Sequence, residues 1–232
     1  MDFSSGALWG AFGAIVVANV LLSGDNAVVI AMAARSLPAS QQKKAIFWGS
    51  AAAIVMRIIL TVVAVQLLQL PYLKIIGGLL LLWIGVQLLV DSDDDGEVKA
   101  HGTLFAAIRT ILVADLVMSV DNVLAVAGAA DRAPEEARLA LLIVGLGLSI
   151  PLIIAGSTLL MKIMDRFPII ITLGAALLGF LAGEMFVTDP ATAGWFHVNM
   201  PEAHLVLGVA CAVLVVVVGI WLQRRSRKLQ TS

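Results

Sequence analysis

Seven stretches of this sequence are long, apolar and nearly free of charge. They lie at about residues 7–34, 45–69, 71–90, 103–130, 137–161, 168–187 and 203–223. A bilayer core takes roughly 20 helical residues to cross. Inside it the backbone must satisfy its own hydrogen bonds, which only helices and closed barrels do. The runs are continuous rather than alternating, so they predict helices and not barrel strands. With 60% of the 232 residues hydrophobic and 13% charged, a soluble domain would lack polar surface. The expected fold is an all-α membrane protein of seven transmembrane helices. Met1–Phe3 has no basic n-region, so no cleavable signal peptide is expected.

The basic residues segregate. Arg35, Lys43, Lys44, Lys99, Arg109, Lys162, Arg166, Arg224, Arg225, Arg227 and Lys228 fall on one side of a seven-span arrangement. Lys74, Arg132 and Arg138 fall on the other, and Arg57 lies within a span. The positive-inside rule makes the richer side cytoplasmic, with the N-terminus outside and the C-terminus inside. Trp9, Trp48 and Trp221 sit near span ends, as interfacial anchors do. Trp83 is mid-span and is expected to pack between helices. Cys211 is the single cysteine, which excludes an intrachain disulfide and a thiolate cluster for soft metals.

The sequence repeats itself. IVVANVLLSGDNAVVIAMAAR at Ile15–Arg35 aligns without gaps to ILVADLVMSVDNVLAVAGAAD at Ile111–Asp131, an offset of 96. Both contain S-x-D-N, as Ser23–Asn26 and Ser119–Asn122, and the same offset pairs Gly49 with Gly145 and Gly78 with Gly174. Each copy holds three spans, about 7–90 and 103–187, with an extra helix at about 203–223. An odd number of spans sends the second copy in from the opposite face. Inverted repeats of this kind place transporter binding sites near the midplane where the halves meet.

Charges inside a span cost at least about 2.5–3.5 kcal/mol each, so each is a functional hypothesis. Asp25, Asp115, Asp121 and Arg57 lie well inside their spans, with Glu184 near the end of the sixth. Asn19, Asn26 and Asn122 are neutral but need partners. Carboxylates, amide carbonyls and the Ser23 and Ser119 hydroxyls are hard oxygen ligands. His101, His197 and His204 lie in loops or at a span end. An oxygen-only set suits Mg2+, Ca2+ or Mn2+ rather than zinc or copper. On a regular helix Asp115, Ser119 and Asn122 share a face, whereas Asp121 points about 120° away from Asp115. One shared ion therefore needs a local helix break, or there are two sites. Gly24 makes a break easy in the first copy; Val120, at the equivalent place, does not.

Plainer readings stand beside these. Asp and Asn in a span also act as hydrogen-bonding glue between helices. Arg57 is a candidate counter-ion for one aspartate, and equally a gate or a structural pair. Glu184 reads also as a span-end carboxylate facing water. The loop DSDDDGEVK at Asp91–Lys99 starts like a calcium loop, but Gly102 stands where the bidentate glutamate belongs, so it reads as a solvated acidic loop. Arg224–Lys228 reads as a stop-transfer, headgroup-binding tail.

LLSGDNAVVIA at Leu21–Ala31, ADLVMSVDNVLAVAG at Ala114–Gly128 and AGEM at Ala182–Met185 resemble the TerC family of integral membrane proteins, and within it a YjbE-like branch. The resemblance covers nearly the whole chain. It implies manganese handling, with Asp25, Asn26, Asp115, Asp121 and Asn122 as metal-site residues and Asn19, Ser23, Ser119 and Glu184 as weaker candidates. Where many relatives carry a glutamate in the first copy, this chain has Asn19, so its first half holds one fewer negative charge. The expected function is export of a divalent cation, Mn2+ foremost, across the cytoplasmic membrane, with proton antiport as a natural driver. The rival is a non-transporting assembly or stress-response factor. An enzyme, a resident cofactor and a nucleic-acid partner are not expected; the bilayer, a divalent ion and protons are, and the oligomeric state is left open.

Overall fold

The computed structural model describes residues 6–21, 24–67, 70–91, 103–130 and 135–230. Among them every regular element is a helix: α1 (Gly6–Leu21), α2 (Gly24–Arg35), α3 (Ala39–Leu67), α4 (Leu73–Asp91), α5 (Leu104–Ala130), α6 (Glu135–Gly147), α7 (Ser149–Arg166), α8 (Ile169–Thr188), α9 (Ala193–Asn199) and α10 (Ala203–Gln230). Among the described residues five stretches are long and apolar enough to cross a membrane: Ala39–Thr61, Leu73–Asp91, Ala140–Arg166, Ile169–Thr188 and Ala203–Ser226. Their outer faces suit lipid. On α10, Leu205, Val209, Val213 and Val217 follow each other at four-residue spacing and are about half exposed, forming an apolar stripe too long for water.

The fifth predicted span is two helices rather than one. α6 and α7 meet at Leu148, which keeps helical angles and donates its N–H to the Val144 carbonyl at 2.9 Å. Pro151, in the first turn of α7, has no N–H for the carbonyl four residues back, which fits a helix start at this place. α5, in contrast, runs unbroken from Leu104 to Ala130. Residues 22–23, where a break is expected in the first copy, lie outside the described residues.

α4, α8 and α10 pack through small residues. A Cβ placed on Gly179 would come 2.6 Å from the Cys211 carbonyl oxygen, and Gly183 likewise abuts the α10 backbone at Leu207. Gly85 faces Val215, and Gly208 faces the Phe180 ring. Between helices in lipid there is no hydrophobic drive, so close backbone approach supplies dispersion instead.

Asp189 fixes this unit at one end. Its side chain is fully buried. Oδ1 accepts N–H groups of Tyr72 at 2.9 Å and Ala191 at 2.8 Å; Oδ2 accepts those of Lys74 at 3.1 Å and Ile75 at 3.4 Å. One carboxylate thus caps the N-terminus of α4 and closes the turn after α8. The turn before α4 carries Tyr72 at a φ of 69°. Burial raises the Asp189 pKa, and the backbone N–H groups of Ala191, Tyr72, Ile75 and Lys74 outweigh it, leaving the carboxyl below its ordinary range.

The second packing unit centres on α3 and α5. Gly49 of α3 receives Ile111 of α5, with an added Cβ 2.7 Å from Ile111 Cδ1. Eight residues further on, Arg57 meets Asp115 and Ser119, so the two helices run parallel. Gly145 of α6 receives Ile15 of α1 in the same way, at 2.6 Å from Ile15 Cγ2. The residues of this second contact are the offset-96 equivalents of the first, with the roles of the two copies exchanged.

Two expectations need correction. Trp83 does not pack between helices: it is 57% exposed, on the outer face of α4. His197, expected in a loop or at a span end, lies on the short helix α9, which presents Trp195 and Val198 outward.

Candidate functional site

The two S-x-D-N segments enter the structure differently. In the first copy Asp25 and Asn26 open α2. The Asp25 carboxylate accepts the Asn26 N–H at 2.7 Å, and an acidic group there suits the positive end of the helix dipole. Asn26 is buried at 2% exposure, while Asp25 is partly open. In the second copy Asp115 and Ser119 sit mid-helix on α5, one turn apart on the same face, as their spacing predicts. Both are buried.

Arg57, 1% exposed, reaches this face from α3. Its Nη2 pairs with Asp115 Oδ1, and its Nε donates to Ser119 Oγ at 3.0 Å. Ser119 in turn donates to Asp115 Oδ2 at 3.2 Å. Both oxygens of Asp115 are therefore engaged, one by a guanidinium and one by a hydroxyl. Thr61 donates back to the Arg57 carbonyl at 2.8 Å, which uses up the hydroxyl within α3.

The halves meet here. A crevice between α2 and α5 is lined by Asn26, Val29, Ile30, Ile111 and Asp115, and it leaves no room for a water molecule. Asp25 stands next to Asn26 at the start of α2 and is partly open. Arg57 thus holds Asp115 and Ser119, and Asn26 lines the same crevice as Asp115. The copies are not equivalent in charge: the offset-96 counterpart of Arg57 is Ile153, which is buried and apolar.

Of the remaining sequence candidates, Ser23 lies outside the described residues, and so do the side chains of Asn19, Asp121 and Asn122. The positions of 115 and 121 are nonetheless fixed by α5. Six residues along an unbroken helix separate them by about 9 Å of rise and about 120° of rotation, so no local break gathers them on one ion. Glu184 is partly exposed on α8, and its carbonyl accepts the Thr188 hydroxyl at 3.0 Å. Among the described residues no three His, Cys, Asp or Glu side chains assemble into a metal cluster.

Two hydroxyls escaped sequence reasoning. Ser50 Oγ on α3 and Ser157 Oγ on α7 are buried with no hydrogen-bond partner among the described residues. Ser50 lies two helical turns before Arg57 on the same face. An isolated serine in an apolar run carries no motif, and only its burial singles it out.

The profile described as "Integral membrane protein TerC family" matches residues 4–227. The chain is 41% identical over 210 residues to the uncharacterized membrane protein YjbE of Bacillus subtilis, covering 90% of this chain and 94% of that one. It is 26% identical to the uncharacterized membrane protein YceF of the same organism, over 95% of this chain and 86% of that one. It is 21% identical to the inner membrane protein YoaE of Escherichia coli, over 90% of this chain and 42% of that longer one. No solved structure matches the chain.

Proposed function

The chain belongs to the TerC family of integral membrane proteins, and from that premise we propose that it exports a divalent metal ion, Mn2+ in our reading, across the cytoplasmic membrane. One observation carries the reading: a polar residue from each copy of the sequence repeat, Asn26 of the first and Asp115 of the second, lines the same crevice. Buried acidic and amide oxygens without histidine or thiolate are the donor set of a hard divalent ion. α1 ends four residues before Asp25, and helix ends leave carbonyls without intrahelical donors, which adds oxygen ligands on that side.

In this reading the chain crosses the membrane seven times, with α1–α2 and α6–α7 each forming one span, the N-terminus outside and the C-terminus inside. The reciprocal contacts Gly49–Ile111 and Gly145–Ile15 support two inverted repeats, as does the offset of the sequence repeat. Alternating access is then a rocking of one copy against the other, with proton antiport as the driver. Because residues 115 and 121 lie on different faces of an unbroken helix, the ion passes two stations on α5. Asp25, Asn26 and Asp115 form one, and Asp121 belongs to the other.

Mn2+ flux into proteoliposomes under an imposed pH gradient tests this. Wild type should carry Mn2+, and Asp25→Asn and Asp121→Asn should each lose most of the rate. Equal rates in all three remove the aspartates from transport. A second reading, a non-transporting membrane factor, is favoured by the full engagement of Asp115 and the closed crevice. It predicts that neither substitution changes flux or metal tolerance.

A further inference from the structure

Both oxygens of Asp115 are already bonded, to the Arg57 guanidinium and the Ser119 hydroxyl. The crevice beside them admits no water. An ion cannot reach Asp115 while Arg57 stays in place. Resting on the transport reading above, we propose that Arg57 is a tethered cation that competes with the transported ion for Asp115, and so filters ions by valence.

Charge and tether together set the terms of that competition. A guanidinium keeps its charge at any physiological pH, so it leaves Asp115 only by moving, never by losing a proton. Held on α3, it is present at high effective concentration, and its flat fork fits the carboxylate and the Ser119 hydroxyl together. A monovalent ion brings the same single charge and must shed its water to compete, so it gains nothing over the resident group. A divalent ion at the same distance doubles the Coulomb attraction. Its coordination shell also has room for the Asn26 amide oxygen, on the same crevice, and for the adjacent Asp25. Ile153 stands at the equivalent position in the second copy, so the filter operates on one half of the site.

The experiment is ion binding to the full chain in nanodiscs, followed by thermal protection and by tryptophan fluorescence. Mn2+ is titrated alone and then against excess Na+. Wild type should bind Mn2+ and ignore Na+. Arg57→Gln removes the competitor, so apparent Mn2+ affinity should rise roughly tenfold and Na+ should now compete. Arg57→Lys keeps the charge but loses the fork, so Mn2+ should tighten by less and Na+ should still fail. Should Arg57→Gln not fold, the Lys variant decides alone: unchanged or weaker Mn2+ binding overturns the proposal. The filter is equally overturned if Arg57→Gln binds Mn2+ no better than wild type and stays blind to Na+. Absence of Mn2+ binding in wild type overturns the transport reading itself, and the filter with it.

Discussion

Single residues carry the energetics of the polar interior. Arg57 and Asp115 are each nearly inaccessible, so removing one partner strands the other as a buried charge. Such losses cost about 3–5 kcal/mol, whereas replacing both is far milder. Arg57→Gln and Asp115→Asn should each lower thermal stability in detergent, and the double variant should recover most of the loss. Additive losses in that cycle would mean the two groups are not coupled. Asp189 makes a different prediction. Its folded pKa is depressed, so its contribution is complete above the unfolded value of about 3.9. It fades as pH falls through the folded value. Asp189→Asn should reduce stability at neutral pH by about 2–3 kcal/mol, the scale of hydrogen bonds to a charged acceptor. The difference from wild type should narrow when melting is repeated at increasingly acid pH. A gap that is constant with pH would show that the carboxylate charge is not what holds the turn.

At the scale of elements, the helices are held by how closely they approach. On α8 the glycines at 179 and 183 stand against the α10 backbone, and carbonyl groups cannot move aside as a flexible side chain can. Gly183→Val should therefore loosen α10 from α8, by about 1–3 kcal/mol or more. Gly10→Ala on α1, where an added Cβ meets nothing within 4 Å, is the control. Comparable melting of the two variants would rule out the tight seam. The glycine spacing was visible in the sequence, but not which helix it faced. The same limit explains Trp83: an aromatic in an apolar run has the same hydropathy whether it meets a helix or lipid. The division between α6 and α7 could have been read from Pro151, since the missing N–H is a local fact. The continuity of α5 followed from Val120 in place of glycine.

For the whole molecule, the arrangement across the bilayer is the claim with the widest consequences. Cys211 is the only native cysteine, so a Cys211→Ser background permits site-directed labelling. Asn199→Cys, at the end of α9, should react with an impermeant maleimide in intact cells. Ser226→Cys, near the end of α10, should react only after permeabilisation. The reverse pattern would invert the orientation drawn from basic residues. Membrane class and family membership were legible from the chain alone, because apolar run length and the paired S-x-D-N segments are properties of adjacent residues. The oxygen character of the candidate site was equally plain from residue type. What the chain alone left open was whether Arg57 served as counter-ion, gate or structural pair, and which aspartate it met. That depends on the register in which α3 lies beside α5, set by Gly49 receiving Ile111 from a helix 62 positions away. Local physics fixes a helix and its faces, but a contact between faces exists only once distant segments have packed.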